Sequence, residues 1–196
     1  MKRIHSKDDI VLAGLDIILS KGFNATGVDS ILKQANVPKG SFYNFFASKE
    51  EFGLAIIDKY VAEIGGILQP IFSDESLPPL ERVRKSFEIL AERFESNDCS
   101  KGCLIGNLSL EMSDQYERVR QRLERSMQGW ADALSKLLLL AQEKGSIPAD
   151  IDPEMLAETL IASYEGALLL AKVKKTTKPL KNFLYQHFEK LLATRE

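Results

Sequence analysis

The polar side chains of the segment Asn36–Lys49 are the first residues of this chain whose types and spacing suggest a chemistry. The segment reads NVPKGSFYNFFASK. Pro38 suits the first turn of a helix, because the N–H group that proline lacks would have no intrahelical partner there. Lys39, Gly40 and Ser41 then place small or hydrogen-bonding groups at the N-terminal end of that helix. Such groups can contact base edges and phosphates, so the segment predicts a helix that recognises DNA.

A second short helix is predicted immediately upstream. Residues Thr26 to Gln34 can form it, and Asn36 then lies in the turn between the two helices. Two short helices joined by a tight turn form a helix-turn-helix, in which the second helix enters the major groove of DNA and the first braces against its backbone. The alternative is a pair of amphipathic helices from any small helical bundle.

The flanking sequence predicts one helix before this pair and a long one after it. Ser6 to Asp9 has the spacing of a capping box, and a basic residue and a glycine, Lys21 and Gly22, end the first helix. Ser48 can cap a long amphipathic helix that runs as far as Pro70. Beyond that proline the pattern stays helical, and eight or nine helices are predicted in all.

This order of helices and motifs resembles the N-terminal DNA-binding domain of the TetR family of bacterial transcriptional repressors. The resemblance rests on a first helix, the motif KGF-x-x-T, a second helix, the motif NVPKGSFYNFFASKEEF and a long helix. It implies an all-α fold with a helix-turn-helix domain at residues 1–48 and a helical regulatory and dimerisation domain at residues 49–196. It further implies a homodimer that binds a palindromic double-stranded operator and releases it when an inducer is sensed.

The final two helices are predicted at about Pro153 to Val173 and Leu180 to Thr194. In the family, the corresponding helices pair with those of a second subunit as a four-helix bundle. Small residues on the first of them, such as Ala162 and Gly166, would allow close approach of another helix. From the residues alone, an intramolecular core remains an equal alternative. His187 is expected to be a packed interface residue.

Side-chain chemistry predicts a role for each polar group of the recognition helix. Lys39 can donate to guanine or to a phosphate, Ser41 and Asn44 can reach base edges or backbone, and Tyr43 can donate its hydroxyl to a phosphate. Phe42 and Phe46 are expected in the core, whereas many family members have a histidine where this chain has Phe45, so one backbone contact is absent here. The contacts that the resemblance implies are Thr26, Lys39, Gly40, Ser41, Tyr43, Asn44 and Lys49, the last as a phosphate clamp.

Composition and charge limit the classes of protein to which the chain can belong. Its 196 residues are 44% hydrophobic and 28% charged, which excludes a disordered chain. The net charge is −2, but residues 1–49 carry seven Lys and Arg against four Asp and Glu, as expected at a DNA-binding end. No apolar run is long enough to span a bilayer and no signal peptide is recognised, so a cytoplasmic protein with reduced cysteines is expected.

The second candidate site is the cysteine pair in CSKGCLIGN, Cys99 and Cys103. Cys103 is predicted at the start of a helix, where the helix dipole favours a thiolate, and Lys101 can add a positive charge. The alternative is a cysteine that packs as a small hydrophobic residue.

Two segments support the interpretation of Cys103 as a reactive thiol. The GCL segment and the later GALLLAKVKKTTKPL are similar to the branch of TetR repressors that responds to N-ethylmaleimide, reactive aldehydes and bleach. Cys103 and Lys172 match the reactive cysteine and partner lysine of that branch. Cys99 has no such match and is either a resolving thiol or a bystander.

Other chemistry has little support in the sequence. The two histidines, His5 and His187, lie near opposite termini without metal-ligand spacing, and neither a cofactor motif nor a catalytic group is recognised. One alternative of another class is an all-helical thiol-dependent enzyme that uses Cys103. A further alternative keeps the repressor but gives it a reversible apolar ligand. The residues predicted to hold such a ligand are Phe87, Leu104, Trp130 and Tyr164.

Overall fold

The fold is all-α, as predicted, in a computed structural model that describes residues 6–38, 40 and 42–192. No strand occurs in those ranges. The helices are α1 (Lys7–Lys21), α2 (Val28–Ala35), α3 (Phe42–Phe45), α4 (Lys49–Phe72), α5 (Pro79–Glu95), α6 (Leu104–Met112), α7 (Glu117–Glu143), α8 (Pro153–Lys174) and α9 (Lys178–Leu184). A π-helical segment, Tyr185–Leu191, continues directly from α9.

Local sequence signals set the ends of the first helices. The predicted capping box of α1 is confirmed, since the Ser6 hydroxyl accepts from the Asp9 N–H at 3.1 Å and the Asp9 carboxylate accepts from the Ser6 N–H at 3.0 Å. At the end of α2, Asn36 adopts the left-handed conformation with φ of 55° and makes the turn that was predicted there. The Ser48 hydroxyl likewise accepts from the Glu51 N–H, 3.1 Å away, at the start of α4.

Three buried phenylalanine rings, one in α3, one just after it and one in α4, hold the short helix α3 against α4. Phe42, Phe46 and Phe52 are at most 1% exposed, and their ring centroids are 5.1 to 5.4 Å apart. Phe42 and Phe46 therefore belong to the core, as predicted. Fully burying an aromatic side chain contributes about 1.5–3 kcal/mol, so these three rings supply stability that so short a helix lacks by itself.

Helix α4 passes through its proline instead of ending there. Pro70 lies inside the helix, which continues to Phe72. The predicted end at Pro70 is therefore short by two residues, because a proline near the last turn removes a backbone donor without stopping the helix.

The chain forms two compact units, and each unit consists of two segments that are separate in the sequence. The first unit contains residues 1–64 and 103–126, and the second contains residues 65–102 and 127–196. The predicted boundary at residue 48 separates a DNA-binding domain from a regulatory domain by their functions. The two packing units do not test it, and it stays a prediction. Packing joins α6 and the first part of α7 to the N-terminal helices. Among the described residues, no helix combines the length and the apolar character needed to cross a membrane.

Gly22 is the glycine whose backbone most clearly requires the absence of a side chain. It follows α1 with φ of +87° and ψ of 160°, and its N–H donates to the carbonyl of Ile18. A Cβ atom there would lie 2.6 Å from a carboxylate oxygen of Glu111. This backbone conformation is essentially restricted to glycine, and a side chain at this position would in addition displace the Glu111 carboxylate.

We predict that Gly22→Ala lowers the free energy of unfolding by about 1–3 kcal/mol, the cost of holding a residue with a side chain in this region of backbone space. Urea denaturation followed by circular dichroism measures this change. Gly129→Ala is the matched control, because Gly129 lies within α7 with open space around its Cβ position. That substitution should stabilise the helix by about 0.5–1 kcal/mol. A Gly22→Ala protein as stable as the wild type would contradict the analysis.

Candidate nucleic-acid interface and thiol site

The outward side of α3 carries exposed polar groups next to the start of α2. Tyr43 is 66% exposed, and Asn44 and Gly40 are exposed as well. Tyr43 lines a shallow open depression together with Gly27, Val28 and Asp29 at the N-terminal end of α2. Lys39 and Ser41 lie outside the described residues, so their predicted contacts stay predictions. Tyr43 and Asn44 can therefore form hydrogen bonds with a molecule that approaches this side of α3.

Thr26 has an internal role in the turn that precedes α2. Its side chain is buried, and its hydroxyl donates to the carbonyl of Gly22 at 2.6 Å. Its backbone N–H donates to the carbonyl of Phe23 at 3.1 Å. These two bonds fold the segment between α1 and α2 back on itself. The contact between Thr26 and DNA stays a prediction, and in the free protein its hydroxyl stabilises the turn.

Lys49 is half-buried at the start of α4, with its ammonium directed at the same turn. The Nζ atom donates to the carbonyl of Phe23 at 2.7 Å and lies 4.4 Å from the centroid of the Phe23 ring. Burial lowers the pKa of Lys49 below its usual range, and the nearby Glu111 carboxylate offsets part of that shift. The Lys49 ammonium, which is the predicted phosphate clamp, therefore already donates a hydrogen bond to a backbone carbonyl in the free protein.

Glu111 contacts this turn through an interaction that the sequence did not reveal. One of its carboxylate oxygens accepts from the Asn24 backbone N–H at 3.0 Å, and its backbone carbonyl accepts from the Asn24 side-chain amide at 3.3 Å. The two residues are 87 positions apart, so no local motif indicates their contact. The interaction fastens the end of α6 to the turn between α1 and α2.

Cys103 is the N-cap residue of α6 and is half-buried. Its carbonyl accepts from the Asn107 N–H at 3.0 Å, which starts the helix. It belongs to the same compact unit as α1 to α3. The predicted position at a helix start is therefore confirmed. The sensing role of Cys103 stays a prediction.

Cys99 and Lys172 belong to the second compact unit. Cys99 is buried, has a φ of 50°, and offers its carbonyl to the Lys175 ammonium at 3.3 Å. Lys172 is half-buried in the last turn of α8. Burial restricts the access of reagents to the Cys99 thiol.

Three of the four predicted ligand-pocket residues form one aromatic cluster in the second unit. Phe87 lies with its ring centroid 5.8 Å from that of Trp130 and 5.3 Å from that of Tyr164. The cluster also includes Phe183 and Phe188, which lie 5.1 and 6.1 Å from Phe87. Leu104 is fully buried in the other unit. The sequence did not point to the last two phenylalanines because they lie in separate helical segments about a hundred residues later.

Metal-ion chemistry has no evident centre in the part of the chain that the structure describes. No three His, Cys, Asp or Glu side chains come together there in a way that could hold a metal ion.

Two sequence-family models match the chain and together cover most of its length. Residues 10–56 match the family described as bacterial regulatory proteins, tetR family, and residues 79–187 match the tetracyclin repressor-like C-terminal domain. The first match covers α1 to α3 and the start of α4, and the second runs from α5 into the π-helical segment.

Individual relatives agree with the family models over nearly the whole chain. The chain is 36% identical over 196 residues to the HTH-type transcriptional repressor DhaR of Mycobacterium sp. (strain GP1), covering 100% of this chain and 97% of that protein. It is 39% identical over 174 residues to the transcriptional regulator AcuR of Cereibacter sphaeroides, covering 89% and 80%. The crystal structure of the reduced form of NemR from E. coli superposes with a TM-score of 0.86 at 31% identity, covering 96% of this chain and 97% of that chain.

We predict that N-ethylmaleimide modifies Cys103 faster than Cys99 in the folded protein, because Cys103 is half-buried and Cys99 is buried. Mass spectrometry of peptides from a time course measures both rates, and the two rates should converge in denaturant. Equal rates in the folded protein would show that burial does not protect Cys99.

Proposed function

The chain belongs to the TetR family of bacterial regulatory proteins, and we propose that this DNA-binding transcriptional repressor releases its operator when an electrophile or oxidant modifies Cys103. The family consists of regulators that are not enzymes, which removes the thiol-dependent enzyme as an alternative. The observation that carries the proposal is the half-buried Cys103 at the N-cap of α6, within the same compact unit as the DNA-reading helices. Because bacterial operators lie in the cytoplasm, the proposed function implies a cytoplasmic location.

Several features of the first unit support the proposed DNA contacts. Tyr43 and Asn44 are exposed on α3, and Gly40 leaves open space for the approach of a nucleic-acid backbone. Phosphate neutralisation by Lys and Arg is the sequence-independent part of DNA binding, which fits the basic character of residues 1–49. Lys39 and Lys49 are the proposed cationic contacts of this interface.

One face of α8 supports a homodimer. Its exposed residues recur at steps of three and four, which places them in one stripe along the helix. They are Met155, Thr159, Ala162, Gly166, Leu169 and Val173. Met155, Leu169 and Val173 are 67%, 58% and 75% exposed, an unfavourable arrangement for apolar side chains that remain in water. A second copy of the same helix would bury this stripe, with the small residues at its centre allowing close approach.

The chemistry at Cys103 follows from its place at the helix start. The N-terminal end of a helix favours a negative charge, and the thiolate is the nucleophilic form of a cysteine. It adds to the double bond of N-ethylmaleimide through its sulfur, and the adjacent carbon takes a proton from water. Hypochlorite instead removes two electrons from the sulfur and is reduced to chloride, which yields a sulfenic acid. From the resemblance to the thiol-sensing branch alone, we further propose that the Lys172 amine reacts with this sulfenic acid, with loss of water, to form a sulfur–nitrogen bond.

A reversible apolar ligand is the second candidate for the inducer, favoured by one observation in the aromatic cluster. The indole N–H of Trp130 is buried, and none of the described residues accepts a hydrogen bond from it. A buried donor without an acceptor is costly, so a ligand with an apolar body and one acceptor atom would complete this site. In this candidate function, Phe87 and Tyr164 hold the apolar body.

We predict that the protein binds a palindromic duplex as a dimer, with half-sites separated by one helical turn or a multiple of it. Lys49→Ala should weaken binding to every sequence and reduce the slope of log affinity against log salt by about 0.9 for each subunit. Lys39→Ala should in addition relax base preference by about 1–3 kcal/mol at one position. Fluorescence anisotropy at several salt concentrations measures both effects. Wild-type behaviour of both variants would refute these contacts, and a monomer in sedimentation at micromolar concentration would refute the dimer.

We predict that operator release by N-ethylmaleimide, methylglyoxal and hypochlorite requires Cys103. Cys103→Ser should bind the operator normally and ignore all three reagents, whereas Cys99→Ser should respond like the wild type. Lys172→Ala should lose chiefly the response to hypochlorite. A hundredfold loss of affinity on modification corresponds to about 2.7 kcal/mol of coupling between thiol and operator. If electrophiles released the Cys103→Ser protein from the operator as readily as the wild type, the thiol switch would be refuted. The non-covalent ligand would then be the remaining candidate for the inducer.

A further inference from the structure

A single peptide group in the first unit is held between two side chains of opposite charge. The carbonyl of Phe23 accepts from the Lys49 ammonium at 2.7 Å, and the N–H of Asn24 donates to the Glu111 carboxylate at 3.0 Å. This carbonyl and this N–H belong to the same peptide bond. Lys49 begins α4 and Glu111 lies in the last turn of α6. Two helices distant in sequence therefore hold one peptide of the turn between α1 and α2.

The electrostatics of this arrangement are favourable on both sides. A peptide group carries partial negative charge on its oxygen and partial positive charge on its N–H, so an ammonium at the first and a carboxylate at the second both stabilise it. Hydrogen bonds with an ionised partner are roughly twice as strong as neutral ones. The Glu111 charge also stabilises the half-buried ammonium of Lys49. The loss of either side chain therefore weakens the hold of the other.

Neighbouring contacts connect the position of this peptide to the position of α2. The peptide lies between Gly22, which ends α1, and Thr26, whose hydroxyl bonds back to the Gly22 carbonyl just before α2. The ring of Phe23 is 1% exposed and packs edge-on against Tyr116, with centroids 6.4 Å apart. The peptide is thus held from several directions at the point where the chain turns into α2.

We propose that Glu111 is a positioning residue for operator binding: together with Lys49 it holds the Phe23–Asn24 peptide and so fixes α2 for its approach to DNA. Glu111 itself does not touch the operator. It acts by keeping the turn in one arrangement before DNA arrives, which avoids ordering that turn during binding.

A second consequence rests on the proposed function of Cys103. Helix α6 starts after Cys103 and carries Glu111 in its last turn. The eight residue steps from Cys103 to Glu111 span about 12 Å at a rise of 1.5 Å per residue. A modification that shifts the start of α6 can therefore move the Glu111 carboxylate away from the Asn24 N–H, which would release the turn.

Operator titration of Glu111→Gln and Glu111→Ala, without any electrophile, tests the proposal. We expect a loss of affinity of about threefold for the glutamine, which keeps an acceptor oxygen, and about tenfold for the alanine, which removes it. Glu124→Gln is the matched control, since Glu124 is an exposed carboxylate of the same unit that pairs with Arg120. Removing a negative charge from a DNA-binding protein ordinarily tightens binding to phosphate, so this control should bind like the wild type or more tightly.

A double-mutant cycle with Lys49→Met separates positioning from a general loss of stability. If the two side chains act on one peptide, Glu111→Ala should cost less than twofold in the Lys49→Met background. A spectroscopic measurement on the free protein adds a second reading, because Glu111→Gln should lower the pKa of Lys49 further, as followed by the 13Cε shift of labelled lysine. The Asn24 amide should also exchange faster with deuterium.

Three results would overturn the proposal: a Glu111→Ala protein that binds the operator as tightly as the wild type, additive effects in the cycle, or an unchanged Lys49 pKa. The proposal about Cys103 is tested separately. A wild-type protein that ignores electrophiles, while Glu111→Ala binds poorly, would refute the thiol switch and leave the positioning role intact.

Discussion

The mutual burial of three phenylalanine rings is the interaction on which the DNA-reading part of the molecule depends. Phe42, Phe46 and Phe52 exclude water from the contact between α3 and α4. A helix of four residues cannot persist by its own backbone hydrogen bonds, since isolated helices below about 12 residues are marginal in water. With its inward side fixed by the rings, α3 directs Tyr43 and Asn44 outward. The same rings thus determine both the stability of α3 and which of its side chains remain exposed.

Features encoded within a few residues were predictable from the sequence. The Ser6 capping box, the turn at Asn36 and the placement of Cys103 before α6 all depend on neighbours in the chain. The pairing of Asn24 with Glu111 could not be predicted in this way, because periodicity and capping motifs carry no information about partners 87 residues apart. The same reason explains why the packing of residues 103–126 with the N-terminal helices was missed.

The two candidate inducer sites differ in physical kind as well as in place. Cys103 would respond through a bond that persists after the reagent is gone, so its response follows the rate of reaction and the supply of cellular reductants. The cluster around Trp130 would respond to the free concentration of a ligand at equilibrium. A reactive thiol is suited to sensing brief exposure to a reactive compound, whereas an aromatic cluster is suited to sensing a metabolite that accumulates. The two sites belong to different compact units, so the presence of one does not exclude the other.

The bond between Glu111 and Asn24 sets a rule for building chimaeric regulators from this chain. If only the first 48 residues were grafted onto a foreign sensor, Asn24 would lose its carboxylate partner, Glu111. Phe23 would lose its contact with the ring of Tyr116. The transplanted head would keep the proposed contacts from Thr26 to Asn44, but it would lose Lys49 and part of what orients the turn before α2. A graft that takes the whole first unit, residues 1–64 and 103–126, would keep Lys49, Glu111 and Tyr116 around the turn between α1 and α2.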